Sequence, residues 1–528
     1  MGEPCPKALG SPRTRTYTEG EYWHLKLWSE LIFLGLYLDP GHLKPYQVHD
    51  VDYLRALGSG MLAWDTGMGK SRGLLAMACS LLDDHPDAVI VLVCEQNKIG
   101  DDECGGDLAK LTSLSWARYY GTGRHKILAG PLPQVLLTTY ETARADTGSE
   151  QDGDGPLTAA LAGRKVLIAY DEMPKLADVA SGLYQGHQHL VSRTGALVVG
   201  LSATGYTRDW DSVYNMFSLI CPQVLPDRAA FERLCVLWRN VRGRATFNNE
   251  AVLEHLLTPI APYLIRRRKT DPEVADMFPR MREVTVHTTM TPWQAQLYAA
   301  VAAFDSSRPG VGDVLRMVAS YPEALLGAEG RTARKVVKTV GAEHLASIRP
   351  GKLNPLIRLV RAAVSEGHKT VIFSFFGPTI LPLLARDLEP AGVPILLHYG
   401  QLSAADRRRA LERFRTHDGP AILLSSDAGS RGINLPQACR LIEYEGARTH
   451  MVGAQRRNRI HRLDSPHAEV VCATLLADGT IEGQIAHKML KRNADTDLLN
   501  GDLFARGFVT AGQRRQQMGL WGDGPAAA

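Results

Sequence analysis

Two blocks of the chain alternate short, continuously apolar strands with loops and helical stretches. The strands expected in the first block are 60–64, 88–94, 135–140, 165–171 and 196–204, and those in the second are 370–375, 394–399, 421–426, 439–444 and 468–476. Unbroken β-branched runs are typical of parallel strands covered on both faces. The pattern therefore predicts an α/β fold with two parallel-sheet lobes.

The pattern divides the chain into five segments. We expect an N-terminal extension, a first lobe, a helical insertion and linker, a second lobe and a C-terminal tail, at 1–42, 43–205, 206–350, 351–490 and 491–528. Within the insertion, we expect a loop at 305–313 and core positions for Trp210, Trp238 and Trp293. The acidic segment 145–156 is expected to form an exposed insertion.

Composition narrows the class of protein. The net charge is only +4, so a nucleic-acid partner would need a local basic surface. The eight cysteines form no C-x-x-C pair, which favours reduced intracellular thiols and gives no support to a zinc site. The apolar stretch 27–38 contains Glu30 and is too short to cross a bilayer, so we expect a buried helix there and no membrane contact.

A glycine-rich loop, 65–71, lies between the first strand and an apolar helix, as a phosphate loop requires. Glycines let the backbone approach phosphate oxygens, and loop amides at a helix N-terminus supply positive charge. The predicted nucleotide-binding residues are Gly67, Met68, Gly69, Lys70 and Ser71, with Ser71 also a magnesium ligand. The strict pattern has glycine where Trp64 stands, and a purely structural turn is the alternative.

Three further positions complete the predicted nucleotide site. Asp171 and Glu172 end a strand, where Asp171 would hold magnesium and Glu172 would orient or deprotonate the attacking water. The alternative for this pair is a helix-start signal. Gln47 has both a donor and an acceptor for an adenine edge, although a solvated turn glutamine would look the same.

Polar residues at two other strand or helix positions are candidates for coupling and catalysis. Ser202 and Thr204 could link the ATP site to a bound strand, or cap a turn. Gln455, Arg459 and Arg462 are spaced to share one helix face, from which the arginines could reach a γ-phosphate. The alternative for both arginines is a solvated basic face or contacts to a phosphate backbone.

Taken together, the blocks between about 43 and 484 resemble a superfamily 2 helicase, most closely the Swi/Snf-like ATPases. The segments that carry the resemblance are LKPYQ (43–47), DTGMGKS (65–71), VLVCEQ (91–96), VLLTTYE (135–141), DEMP (171–174), LSAT (201–204), the linker 266–284, 398–414, 423–438 and 455–462. The resemblance implies two RecA-like lobes. It also implies that Gln47 selects adenine and that Arg459 and Arg462 act as arginine fingers. Ser426, Gly432 and Asn434 are expected in a loop at the lobe interface and near nucleic acid, with Gly432 also a nucleotide-binding residue.

The chain departs from the family pattern at several positions. Pro174 replaces a histidine, Ala177 and Asp178 replace a Lys-Asn pair, and LDS follows Arg462 where the family has a Gly-Gln pair. LSATGYT also differs from the usual form of its motif. These differences bear on the subfamily and on coupling more than on ATP hydrolysis.

The resemblance implies an ATP-dependent DNA translocase that uses ATP and magnesium in a cleft between two lobes. Duplex DNA is the favoured partner, RNA is the alternative, and a monomer is favoured. The short terminal segments favour the cytoplasm of a bacterial or virus-infected bacterial cell, with the nucleus as the alternative. Two other functions stay open: a strand-separating DNA or RNA helicase, which SDAGSRGI (426–433) also suits, and a non-hydrolysing nucleic-acid-binding module.

Overall fold

The computed structural model describes residues 38, 43–99, 104–203, 209–241, 243–303, 310–427 and 433–487. The expected helix 27–38 (apart from Leu38), the C-terminal tail, Thr204, Gly432 and part of the loop 305–313 lie outside the described residues. The chain divides into two compact units, with the boundary between Asp276 and Met277. The segment 206–350 is therefore shared between the two units.

The first unit is built on a parallel sheet. Its strands are β1 (Gly60–Trp64), β2 (Val89–Cys94), β3 (Trp116–Arg118), β4 (Val135–Thr139), β5 (Gly148–Ser149), β6 (Gly153–Asp154), β7 (Val166–Asp171), β8 (Leu197–Leu201), β9 (Val236–Arg239), β10 (Ala245–Phe247) and β11 (Leu264–Arg267). Seven of them form a parallel sheet in the order β11-β1-β8-β7-β2-β4-β3, while β5–β6 and β9–β10 are antiparallel hairpins. Every residue of β1, β2 and β4 is buried, which explains their unbroken apolar sequences.

Helices cover this sheet and complete its core. The longer helices are Pro45–Leu57, Lys70–Asp84, Cys104–Leu111, Tyr140–Thr147, Pro156–Leu161, Gly182–Thr194, Trp210–Ile220 and Arg228–Cys235. Several begin at a residue whose side chain accepts a backbone amide, as Ser181, Asp209 and Asp227 do. The helix Trp210–Ile220 packs into the same core as the sheet through Val213 and Phe217. The chain then returns to the sheet as β11, next to β1.

The second unit also contains a fully parallel sheet. Its strands are β12 (Arg280–Thr288), β13 (Thr370–Ser374), β14 (Ile395–His398), β15 (Ile422–Ser426), β16 (Arg440–Glu443) and β17 (Glu469–Ala477), in the order β12-β17-β16-β13-β15-β14. The edge strand β12 pairs with β17 along its whole length, from Arg280 opposite Glu469 to Thr288 opposite Ala477. The predicted fold class, α/β with two parallel sheets, is confirmed.

Helices of the second unit fall into two groups. Those packed around the sheet are Leu353–Ser365, Gly377–Leu388, Ala404–Thr416 and His450–Arg457, and those preceding them are Pro292–Ala302, Val311–Ser320, Arg331–Val340 and Ala342–Ser347. The preceding group has its own apolar cluster, which includes Leu297, Val318 and Val336. No helix among the described residues is both long enough and apolar enough to span a bilayer.

The expected core tryptophans differ in their burial. Trp210 is 6 % exposed and lies in the first core, as predicted. The prediction for Trp238 and Trp293 is wrong, because they are 57 % and 60 % exposed. Trp238 lies on the β9–β10 hairpin, which pairs with no strand of the main sheet. Trp293 lies in the first turn of a helix, where its ring contacts His344.

The prediction of an exposed acidic insertion at 145–156 is only partly right. Asp146 is buried, and its carboxylate accepts hydrogen bonds from Tyr119 Oη at 2.5 Å and from Arg124 Nε at 2.6 Å. Burial opposes ionisation of this carboxyl, but the bonds from Arg124 and Tyr119 lower the pKa of Asp146 to about 2. The compensating groups are more than 20 residues away in sequence, so local composition could not reveal them.

Candidate functional site

Three neighbouring strands bring the predicted nucleotide residues of the first unit to one edge of the sheet. β8 lies between β1 and β7, and all three are parallel. The phosphate loop follows β1, Ser202 follows β8, and Asp171 ends β7. Ligands of open parallel sheets bind beyond the carboxyl ends of the strands, so this edge is the candidate nucleotide site.

The phosphate loop has a backbone conformation that depends on its glycines. Gly67 and Gly69 have φ angles of 87° and 77°, and Gly69 is the N-cap of the helix Lys70–Asp84. This conformation is readily available only to glycine. Ser71 lies in the first turn of the helix, where free amides and the helix dipole favour an anion.

Lys70 folds back over its own loop. Its Nζ donates to the carbonyl oxygens of Trp64 at 2.8 Å and Asp65 at 3.3 Å. Burial lowers the pKa of Lys70 to about 8, against the raising effect of Glu172 and Asp171. The two carboxylates are thus near enough to stabilise the ammonium group, as expected for parts of one site.

Gln47 is fully buried and contacts the phosphate loop, so the alternative of a solvated turn glutamine is wrong. Its Nε2 donates to the carbonyl oxygen of Met68 at 2.9 Å, and Tyr46 Oη donates to the same oxygen at 2.6 Å. The side-chain oxygen of Gln47 accepts the amide of Lys44 at 2.8 Å. These bonds hold the loop against the helix Pro45–Leu57, while the selection of adenine stays a prediction.

Glu172 has an unusual backbone. With a φ of 61°, it is the single residue other than glycine with a positive φ in the described part of the chain. Such a conformation costs an L-residue on the order of 1 kcal/mol and concentrates at functional sites. It places the Glu172 side chain directly after β7, beside that of Asp171.

Lys98, which no sequence motif singles out, pairs with both of these acids. Its Nζ lies 2.7 Å from Asp171 Oδ2 and 4.0 Å from Glu172 Oε1, and all but 15 % of its side chain is covered. Burial disfavours its charge, but Asp171 and Glu172 outweigh that effect and raise the pKa of Lys98. The feature that could have identified Lys98 is its position four residues beyond the end of β2, the strand next to β7.

The residues at this edge fit the magnesium ion that the resemblance implies. Magnesium takes oxygen ligands and is commonly bound through one or two carboxylates together with phosphate oxygens. Asp171 supplies a carboxylate with an exposed fraction of 13 %, and the Ser71 hydroxyl follows the phosphate loop. The described residues contain no cluster of three or more His, Cys, Asp or Glu side chains suited to a metal. A site completed by phosphate oxygens suits this donor set.

In the second unit, the predicted helical row of Gln455, Arg459 and Arg462 is wrong. The helix His450–Arg457 ends before both arginines, because the amides of Arg459 and Ile460 bond three residues back rather than four. Ile460 is fully buried in the core below the turn. The arginines therefore lie in the turn and the segment that follow the helix.

The turn nevertheless brings Arg459 to the loop that follows β15. Arg459 Nη1 donates to the carbonyl oxygen of Ile433 at 3.2 Å, and its own carbonyl oxygen accepts the amide of Leu435. Asn434 is exposed between them, and Ser426 is buried at the end of β15. The structure thus brings together Arg459 and Asn434, and Arg462 follows in the same segment with 15 % of its side chain exposed.

Arg456 is a second buried charged residue that was not among the predicted site residues. Its side chain is 1 % exposed, and it donates to both carboxylate oxygens of Asp427, with Nε to Oδ1 at 2.6 Å. It also donates to the carbonyl oxygen of Glu445. Arg456 therefore fixes the helix His450–Arg457 to the end of β15 and supports the turn that carries Arg459.

Two family models match the chain. The SNF2-related domain matches residues 23–309, which is more than half of the chain, and the helicase conserved C-terminal domain matches residues 351–464. Similar proteins include "Protein CHROMATIN REMODELING 24" of Arabidopsis thaliana, 23 % identical over 501 residues, which cover 85 % of this chain and 45 % of that protein. The "Putative ATP-dependent helicase/translocase YwqA" of Bacillus subtilis is 23 % identical over 469 residues, covering 84 % and 47 %. The chain spans about half the length of these curated relatives.

Solved structures with a similar fold include the Pyrococcus furiosus Hef helicase domain, with a TM-score of 0.53 and 14 % identity, covering 87 % of this chain and 99 % of that one. The SWI2/SNF2 ATPase core of Sulfolobus solfataricus in complex with dsDNA aligns over 90 % of this chain and 96 % of that one, at 21 % identity and a TM-score of 0.41. At these identities, the Hef match supports the fold alone.

The Lys98–Asp171 pair makes a prediction about divalent-ion binding. Replacing Lys98 by Met removes the cation that neutralises Asp171. Magnesium affinity, measured by calorimetry without nucleotide, should then rise about tenfold, because the Lys98 ammonium group lies 2.7 Å from the Asp171 carboxylate and competes with the ion for it. Lys175→Met is the control, since Lys175 pairs with Glu95 at 3.1 Å instead. Unchanged or weaker binding in Lys98→Met would contradict the prediction.

Proposed function

Because the chain belongs to the SNF2-related family, we propose that it is an ATP-dependent motor that moves along DNA. The observation that carries this proposal is the edge formed by β1, β8 and β7, where the phosphate loop and the pair Asp171 and Glu172 lie at the ends of parallel strands. A phosphate loop with two left-handed glycines is suited to a triphosphate. Asp171 and Glu172 lie at the end of β7, which is separated from β1 by β8, and an acidic pair at this position is suited to the hydrolysis of that triphosphate.

The residues of the first unit have distinct proposed roles. Lys70 turns from the loop carbonyls to the β- and γ-phosphates, while the amides of Gly67, Met68 and Gly69 bind phosphate oxygens. Glu172 orients the attacking water and accepts its proton. Magnesium, held by Ser71 and Asp171, would supply charge neutralisation at the transferring phosphoryl group.

The second unit supplies the proposed arginine fingers. The function requires Arg459 and Arg462 to reach the γ-phosphate from the second unit, where charge develops in the transition state. The support is that Arg459 is anchored to the carbonyl oxygen of Ile433 and lies beside Asn434. A DNA strand bound near Ser426, Gly432 and Asn434 would then influence the arginines through the same loop. Ser202 and Thr204 have the corresponding coupling role in the first unit.

Duplex DNA is the proposed track, and a monomer is the proposed form. The relative CHROMATIN REMODELING 24 and the family model support this branch over the strand-separating alternative. The intact set of Lys70, Asp171 and Glu172 favours hydrolysis over a non-hydrolysing binding module. The bacterial or viral placement stays a prediction, since similar proteins come from both plants and bacteria.

ATP turnover should depend on Lys70 and Glu172. Lys70→Ala removes the phosphate contact and should abolish turnover, whereas Glu172→Gln should bind ATP normally but hydrolyse it at least about 100-fold more slowly, because the amide cannot accept the proton. Steady-state hydrolysis and nucleotide titration measure the two effects. Glu150→Gln, at an exposed position of the same unit outside the motifs, is the control. Normal turnover in Glu172→Gln would show that another group is the base.

Arg459 and Arg462 should matter for turnover more than for ATP affinity. Either Arg→Ala change should lower kcat by about 10³-fold with little change in the Kd for ATP, because the contact is made in the transition state. Arg334→Ala, on an exposed helix position of the same unit, should change neither quantity. Equal losses of kcat and affinity, or no loss, would contradict the role of both arginines as arginine fingers.

The motor should displace a third strand from a triplex without efficiently unwinding a fork. Contacts to the duplex backbone are ionic and carry little base information, so DNA affinity should fall steeply with salt and vary little with sequence. Triplex displacement reports translocation, and a forked duplex reports strand separation. Fork unwinding without triplex displacement would support the helicase alternative. Stimulation of hydrolysis by RNA but not by DNA would reject DNA as the track.

A further inference from the structure

A buried carboxylate, Asp50, lies directly behind the phosphate loop. It belongs to the helix Pro45–Leu57 and is 2 % exposed. Its Oδ2 accepts the indole Nε1 of Trp64 at 2.9 Å and Arg267 Nε at 2.9 Å, while its Oδ1 accepts Arg267 Nη2 at 2.6 Å. His49 Nδ1 lies 3.1 Å from the same Oδ1. One carboxylate thus joins the last residue of β1 to the last residue of β11.

Asp50 is ionised in this position. Burial disfavours the carboxylate, but the hydrogen bonds from Arg267 and His49 outweigh it and lower the pKa of Asp50. In return, burial opposes the charge of Arg267, and Asp50 raises the pKa of the guanidinium group. Arg267 also pairs with Glu273. A buried pair of this kind is costly to break, because each partner would leave the other as an uncompensated charge.

The Asp50 network reaches the phosphate loop by two routes. The first is Trp64, whose carbonyl oxygen accepts Lys70 Nζ at 2.8 Å. Its ring supports the helix after the loop so closely that a Cβ on Gly73 would lie 2.7 Å from a ring carbon. The second is Arg267, whose carbonyl oxygen accepts the amide of Asp65 at 3.0 Å. Moving Trp64 or Arg267 would therefore move both ends of the loop.

We propose that Asp50 is a positioning residue for nucleotide binding, acting through Trp64 and Arg267. This inference rests on the proposed function, because it assumes that the loop binds a nucleoside phosphate. The carboxylate holds the indole and the guanidinium in one orientation, so the loop amides and Lys70 are already arranged when the nucleotide arrives. A pre-arranged loop loses less freedom on binding, which increases affinity.

The test uses the full chain and the fluorescent nucleotide N-methylanthraniloyl-ADP with magnesium. Trp64→Phe keeps an aromatic ring but removes the indole N–H group together with the ring carbons that contact Gly73, and Asp50→Asn keeps the shape and removes the charge. Each should weaken nucleotide affinity about tenfold, because a hydrogen bond to a charged group is lost. The affinity is measured well below the thermal unfolding midpoint, so every variant is folded.

The matched control is Asp84→Asn. Asp84 pairs with Arg55 at 2.7 Å and joins the helix that carries Asp50, Pro45–Leu57, to the helix after the phosphate loop, Lys70–Asp84, but both side chains are exposed by about a third or more. An exposed pair contributes little, so nucleotide affinity should stay within about twofold of the parent. A tenfold loss in Asp84→Asn as well would overturn the specific role of Asp50.

A double variant distinguishes a positioning role of Asp50 in nucleotide binding from an effect of Asp50 on protein stability alone. Asp50→Asn with Arg267→Gln removes both buried charges, so the unfolding midpoint should recover relative to Asp50→Asn, while affinity stays weak. Recovery of affinity together with the midpoint would overturn the proposal. Parent protein that binds the nucleotide but shows no DNA-stimulated hydrolysis would reject the proposed function and leave this inference standing. Parent protein that binds no nucleotide would reject both.

Discussion

The parallel pairing of β1 with β11 on one side and β8 on the other is the constraint on which the candidate site depends. Because Trp64 lies opposite Arg267 in this pairing, the end of β1 is fixed by a strand that is about 200 residues away in sequence. On the other side, β8 sets the distance from the phosphate loop to Asp171 at the end of β7. A change in the register of either pairing would move the loop relative to the acids.

Much of the fold could be predicted from short-range patterns in the sequence. Each of the ten expected strands is present, since continuous apolar runs of this length are typical of parallel strands buried on both faces. The phosphate loop and the pair Asp171 and Glu172 were proposed as site residues from glycine spacing and strand-end position, which are short-range features, and their roles stay predictions. Gly67 and Gly69 both have positive φ angles, a conformation that glycine adopts readily.

Features that depend on distant partners were not predictable in this way. Asp50 and Arg267 are 217 positions apart, and Lys98 and Asp171 are 73 apart, so neither pair produces a local signal. Asp146 looked exposed because its neighbours are polar, although Arg124 and Tyr119 compensate its charge. The predicted helical row of Gln455, Arg459 and Arg462 was wrong because it required a helix that continues beyond Arg457, whereas burial of Ile460 favours a turn.

The pairing of β12 with β17 has a consequence for biosynthesis. β12 is the first strand of its unit, but its partner is completed only when the ribosome has passed Ala477. At a synthesis rate of about 5–20 residues per second, the backbone groups of β12 stay unpaired for on the order of 10 to 40 s. Arg280, Arg282 and Glu283 are exposed along it even after folding. Their charges oppose association with strands of other nascent chains during that interval.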